Sequence, residues 1–199
     1  LYSVGLAPGL FDAWPHELSG GQAQRVAIAR AVVLKPRILV CDEAVAALDG
    51  GVRRSVLDLL ATLQRETGLS VLFVTHDLAV VQSIAHRVAV MYLGRIVEAG
   101  PTAAVFRQPR HPYTRALLDA VPLPDPQAPG GVASLEGEAP SPLAPPPGCG
   151  FAPRCRHAEA RCGERVPGLM PYEDTRVACV RAAELELTAP AGGSSSARR

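Results

Sequence analysis

Two adjacent carboxylates, Asp42 and Glu43, close the apolar run Ile38-Leu39-Val40-Cys41, and a glycine-rich turn, Leu18-Ser19-Gly20-Gly21-Gln22, precedes them by the length of a short helix. The carboxylate pair suits a divalent cation: one group can hold Mg²⁺ through water while its neighbour orients an attacking water. The turn suits an anion. Ser19 and the two glycines stand ahead of a helical stretch expected from Gln22 to about Leu34. Such a helix aims backbone N–H groups and the positive end of its dipole at a phosphate. Together these residues read as half of an ATP site. A further titratable group, His76, follows the strand-like run Val71-Leu72-Phe73-Val74-Thr75.

The elements that must position these groups alternate in type. Val52, Val56, Leu59, Leu60 and Leu63 recur at helical spacing, so a helix is expected over 51–67, stopping at Gly68. A strand is expected over 69–75, then a helix capped by Asp77 through Ala85, then strands over 86–92 and 95–98 joined at Leu93-Gly94. Strands alternating with helices imply an α/β layer fold, in which functional groups gather at the carboxyl ends of strands. Asp42, Glu43 and His76 all fall at such ends.

In this order, the LSGGQ turn, the ILVCDE strand, Ala47-Leu48-Asp49 and the lone His76 resemble the ATP-binding subunits of ABC transporters. The resemblance implies the C-terminal part of an ABC-type P-loop ATPase domain with a proline-rich, cysteine-containing C-terminal extension. It also implies roles. Ser19, Gly20, Gly21 and Gln22 would form the signature that grips the γ-phosphate of ATP on an opposite subunit. Asp42 would serve the Mg²⁺ shell, Glu43 would polarise the attacking water, Asp49 would belong to the D-loop, and His76 would be the switch histidine. Two departures stand out: Ala44-Val45-Ala46 replaces the more usual Pro-Thr-Ser, and Gly50-Gly51 follows Asp49. No G-x-x-x-x-G-K-[ST] phosphate loop occurs in the 199 residues. The sequence is therefore expected to be the C-terminal part of a longer protein, and unable to hydrolyse ATP unaided.

The second half resembles the oligopeptide and dipeptide importer branch of that family, which also includes nickel importers. The residues carrying this are His111-Pro112-Tyr113-Thr114-Arg115-Ala116-Leu117-Leu118 and the preceding Val90–Glu98 stretch. Read physically, Pro112 presets a helix turn, and Tyr113, Ala116, Leu117 and Ala120 make one docking face, with a structural role for His111. The expected organisation is a nucleotide-binding part over 1–100, a helical extension over 101–122, a Pro/Gly-rich linker over 123–148, a four-cysteine segment over 149–182 and a disordered tail over 183–199. Cys149, Cys155, Cys162 and Cys179 are separated by five, six and sixteen residues. In the cytosolic setting that the resemblance implies, such a cluster points to metal rather than disulfides. The spacing lacks the C-x₂-C knuckles usual for zinc, and four thiolates suit an iron–sulfur cluster as well as tetrahedral zinc. The resemblance implies a [4Fe–4S] cluster, with Zn²⁺ and unmetallated thiols as alternatives. Cys41, inside a strand, reads as a small hydrophobe.

A formal net charge of +1 and the lack of a basic stripe with interleaved aromatics give no case for nucleic acid. Charges such as Arg25, Arg30 and Arg87 break the apolar stretches well short of the ~20 residues that a spanning helix needs. Trp14 is expected to pack, and Arg53 and Arg54 to form a solvated helix face. By resemblance, the partners are a second ATPase subunit, membrane permease subunits and, indirectly, a periplasmic or surface solute-binding protein. The place is the cytoplasmic face of the membrane. Two other readings stand beside this one. A non-catalytic adaptor could complete a partner's ATP site and bind a metal or iron–sulfur cluster. A soluble ABC ATPase could act on ribosomes or in DNA repair, which the HPY segment and the near-neutral charge disfavour.

Overall fold

The computed structural model describes residues 2–121 and 137–187, so most of the proline-rich linker and the end of the tail lie outside the described residues. The chain divides into two compact units, Leu1–Ile84 and Ala85–Arg199.

The first unit opens with three short 3₁₀ turns and then helix α1, Gly20–Val32. Strand β1, Ile38–Asp42, leads through helix α2, Gly50–Thr67, to strand β2, Ser70–Val74, and helix α3, Leu78–Ile84, follows. β1 and β2 pair in parallel, with register running from Ile38 opposite Ser70 to Asp42 opposite Val74. Within β1, Leu39 and Cys41 point into the core while Ile38 and Val40 lie exposed. Across the pair, Leu72 and Val74 are exposed as well, so both faces of these strands are apolar, the pattern of a strand made to be covered on both sides. The inner face packs on α2 through Val56, Leu57, Leu60 and Leu63, each burial contributing roughly 1.5–3 kcal/mol. The expected helix and strand bounds hold here to within two residues. Cys41 is buried in the core as a small hydrophobe, and burial pushes its thiol up.

Among its described residues the second unit holds a four-stranded antiparallel sheet in the order β3-β4-β6-β5 and two α-helices. Its strands are β3 (Arg87–Tyr92), β4 (Arg95–Pro101), β5 (Met170–Tyr172) and β6 (Thr175–Val177); its helices are α4 (Thr102–Arg107) and α5 (Pro112–Asp119). β3 and β4 form a hairpin through Leu93-Gly94, as the sequence suggests, but β4 runs on to Pro101 and pairs with β6 through Glu98 and Ala99. Thus β3 and β4, which the sequence reading groups with the first 100 residues, share a sheet with strands of the cysteine segment. The core here is built on Val90, Tyr92, Val97 and Phe151. Phe151 meets Tyr92 edge-on at 5.3 Å and Tyr113 at 5.4 Å between ring centroids. In α5, Tyr113 and Leu117 pack on this core and Thr114 and Leu118 are buried, whereas Ala120 is exposed.

Candidate functional site

Because β1 and β2 are parallel and in register, their carboxyl ends finish level. The Glu43 N–H donates to the Val74 carbonyl at 3.0 Å, one step beyond the ladder. Glu43 then adopts φ +50°, a left-handed conformation that costs a non-glycine residue about 1–2 kcal/mol. Its Oε1 lies 2.9 Å from His76 Nδ1, two residues past the end of β2. The pair is open to water, with Glu43 47% and His76 78% exposed. The hydrogen bond to Glu43, reinforced by the carboxylate's charge, pushes the His76 pKa up. A carboxylate held by an adjacent imidazole, with a second oxygen left to orient water, is equipped to polarise a nucleophile. Asp42, the last residue of β1, is exposed beside it.

A second cluster forms where α1 and α2 begin. Ser19 caps α1: its Oγ accepts from the Gln22 N–H at 3.3 Å, and its own N–H donates to Gln22 Oε1 at 2.8 Å. The helix therefore starts at Gly20, not Gln22, and Gly20 and Gly21 sit in the first turn, where backbone N–H groups lack intrahelical partners. Asp49 caps α2, its Oδ1 accepting from the Val52 N–H at 3.0 Å. The two helix starts lie side by side. A Cβ placed on Gly20 would sit 3.6 Å from Leu48 Cδ2, and one on Gly21 would sit 2.3 Å from Val52 Cγ1. Gly21 is thus also a point of close approach between α1 and α2, a packing demand that the sequence does not announce. Two expectations need correction. Trp14 is exposed rather than packed. Arg53 is no solvated bystander: its Nη1 donates to Asp77 Oδ2 at 2.9 Å and its Nη2 to the Leu48 carbonyl at 3.2 Å. Arg54 remains on the exposed face, 3.4 Å from Asp58.

Residues 5–46, which hold the Ser19–Gln22 turn and the Asp42-Glu43 pair, match the family described as ABC transporter. Residues 97–162 match the oligopeptide/dipeptide transporter C-terminal region. Two separate parts of the chain thus match models of ABC transporter proteins. It is similar to the oligopeptide transport ATP-binding protein OppF of Escherichia coli, at 49% identity over 183 residues, 91% of this chain and 55% of that protein. OppF of Haemophilus influenzae is 46% identical over 91% of this chain and 55% of its own length. The dipeptide transport ATP-binding protein DppF of Escherichia coli is 51% identical over 88% of this chain and 53% of its own. The chain spans about half the length of these curated relatives. No helix among the described residues is long and apolar enough to cross a membrane.

In the second unit, the HPY segment is anchored by a residue that the sequence alone does not single out. Glu98, 0% exposed, accepts from the Arg110 N–H at 2.7 Å and the His111 N–H at 3.0 Å. Burial pushes its carboxyl up, while the backbone donors act in the other direction. His111, 1% exposed, caps α5 by accepting the Tyr113 N–H on Nδ1 at 3.0 Å, and burial pushes its pKa down to about 4. The structural reading of His111 fits this geometry.

His111 and Phe151 also line a pocket shared by Cys149, Cys155, Cys162 and Cys179. Gly148 makes this pocket possible: a Cβ there would meet the Cys162 carbonyl oxygen at 2.3 Å, and the close approach lets the Cys149 N–H donate to that same oxygen at 2.8 Å. Burial pushes the thiols of Cys149 and Cys155 up, and that of Cys179 up to about 11. Backbone N–H groups of Phe151 and Ala152 oppose this at Cys149, that of His157 at Cys155 and that of Arg181 at Cys179. The Glu159 N–H points at Cys162 Sγ, 3.5 Å away. Yet among the described residues no group of three or more histidine, cysteine or acidic side chains is arranged to hold a metal ion. The four cysteines expected to hold a cluster or zinc thus line one pocket, but among the described residues they are not arranged as a metal site.

Proposed function

We propose that the chain carries part of an ATP-hydrolysing subunit that energises import of di- or oligopeptides across the cytoplasmic membrane. The single observation that carries this reading is the 2.9 Å pairing of Glu43 and His76 at the level carboxyl ends of two parallel strands. A carboxylate and an imidazole so paired have the chemistry to handle a γ-phosphate and its attacking water, which supports this reading. In this reading Glu43 polarises the water, His76 holds Glu43 and reaches the phosphate, and Asp42 serves the Mg²⁺ shell. Mg²⁺ supplies charge neutralisation for the phosphates. The Ser19–Gln22 turn and Asp49, side by side at two helix starts, offer N–H groups to nucleotide held by an opposing subunit. Closure of two such faces would exclude water and strengthen each of these interactions.

The partners are therefore a second ATPase subunit and membrane permease subunits, with a solute-binding protein acting further out, and the subunit works at the cytoplasmic face. The match of residues 97–162 to the oligopeptide/dipeptide transporter region supports the peptide class. The test is hydrolysis by the intact subunit assembled with its transporter. Glu43→Gln should retain ATP binding and lower turnover by at least 100-fold, in the range of lost general-base catalysis. Unchanged turnover in that variant would overturn the role of Glu43.

The proline-rich, cysteine-bearing region is, in the same proposal, an extension that binds a metal group, a [4Fe–4S] cluster in preference to Zn²⁺. One pocket lined by four thiols, with backbone N–H groups directed at the sulfurs, supports this donor chemistry. Loading would require the thiols to lose protons and draw together, since they are not arranged to hold a metal as they stand. Iron and acid-labile sulfide measured per chain after anaerobic purification decide it; four free thiols with neither metal would refute it.

A further inference from the structure

We infer that Arg53 is a positioning residue that links the partner-facing helix starts to the Glu43–His76 pair. The inference rests on the ATPase reading above. Arg53 lies in the first turn of α2, its N–H donating to the Asp49 carbonyl at 2.8 Å. Its guanidinium spans two segments. One arm donates to the carbonyl of Leu48, the residue before Asp49 and the neighbour of Gly20. The other arm holds Asp77, the residue after His76.

Asp77 is itself fixed. Its Oδ1 accepts from the N–H groups of Ala79 at 2.9 Å and Val80 at 3.2 Å, and its own N–H donates to Thr75 Oγ1 at 3.0 Å. A shift of Leu48 or Asp49 is thus passed through a rigid, planar fork to a residue one peptide bond from His76. The link is partly shielded, with both side chains about one-third exposed. Arg53 Nε is buried without a hydrogen-bond partner, a cost that an arginine free to turn toward water would avoid. The turns of the 43–49 loop, in which Ala46 N–H donates to the Glu43 carbonyl at 3.1 Å and Leu48 N–H to the Val45 carbonyl at 3.3 Å, join the Asp49 helix start to Glu43, and Arg53 adds a side-chain link from that start to the His76 side of the pair.

The test compares Arg53→Ala, Arg53→Lys, Asp77→Asn and the Arg53→Ala/Asp77→Asn double variant in the intact subunit with its transporter. The readouts are kcat, KM for ATP, the Hill coefficient and Tm. Arg53→Ala should lower kcat about tenfold, a coupling of ordinary allosteric size, with KM changed less than twofold and cooperativity in ATP reduced toward a Hill coefficient of one. Arg53→Lys, a compact ammonium on a flexible stem without the rigid two-armed fork, should recover less than half of the loss. The double variant should fall no further than Arg53→Ala. Unchanged kcat and Hill coefficient, additive effects, or a lowered Tm with full turnover per folded subunit would overturn the inference. A wild-type subunit that does not hydrolyse ATP would instead overturn the ATPase reading, and the inference with it.

Discussion

Removal of the Glu98 carboxylate is the sharpest perturbation that the second unit offers. The group accepts two backbone N–H bonds, from Arg110 and His111, at a site with 0% exposure. In Glu98→Ala both donors are orphaned in the interior. At roughly 1–3 kcal/mol for each unsatisfied buried group, the loss is about 2–6 kcal/mol before any lost packing. Urea unfolding followed by near-ultraviolet dichroism of the tyrosines around Phe151 should therefore show a midpoint lowered by about 2 M, for an m-value of about 2 kcal/mol/M. Acid dependence adds a second, signed test through Glu98→Gln. Burial raises the folded-state pKa of Glu98 above the ordinary 4.5, so the folded state binds its proton more readily than the unfolded chain does. That contribution is fully present below 4.5 and is lost as pH rises through the folded-state value. The stability of wild type relative to Glu98→Gln should accordingly grow as pH falls from 7 toward 4.5. The titration of His111 is common to both proteins and cancels in the difference. A midpoint for Glu98→Ala within about 0.2 M of wild type, or a gap that shrinks on acidification, would refute the reasoning.

The remaining predictions are narrower. His111 has its folded-state pKa lowered from 6.5 to about 4, so its contribution is complete above 6.5 and is lost as pH falls through 4; this amounts to about 3 kcal/mol, and His111→Asn, which keeps a capping acceptor, should flatten the acid limb of an unfolding series. Gly21→Ala should destabilise the first unit by about 1–3 kcal/mol in urea unfolding, because its Cβ would meet Val52 Cγ1 at 2.3 Å, whereas Gly20→Ala meets only an ordinary contact and should cost less than 1 kcal/mol. Glu43→Gln should bring the His76 pKa down toward its ordinary value, read from the imidazole resonances in an NMR titration; an unmoved His76 would mean that Glu43 does not hold it.

The fold of the first unit was legible because its signals are local and periodic. The α2 stripe, its Asp49 and Gly68 ends and the apolar runs of β1 and β2 each carry their own punctuation. The approach of Glu43 to His76 followed from the same pattern, since parallel strands bring their carboxyl ends together. Residues whose roles depend on distant partners were not legible. Arg53 looks like any exposed helix arginine until Asp77 is folded against it, and Glu98 looks like a strand's solvent residue until the chain leading into α5 sets the Arg110 and His111 N–H groups over it. β5 and β6 are three residues each, too short for alternation to register, and exist because β4 offers them an edge. The spacing of the cysteines predicted convergence, and they do line one pocket; whether thiols close to bonding distance is a matter of a few ångströms that spacing cannot encode.

The two-faced strands of the first unit bear on how it is made. β1 and β2 pair residues 32 apart in sequence, Ile38 with Ser70, across a single helix with its own start and stop. A parallel pair closed across some 32 residues must meet its loop entropy before its contacts reward it, so it forms slowly. The same step sets Ile38, Val40, Leu72 and Val74 in one exposed apolar row beside strand edges that are unpaired among the described residues. Until something covers that row, it is a template for pairing with any other extended chain. Slow pairing and an exposed apolar row therefore act together to lengthen the time in which these two strands are open to misassembly.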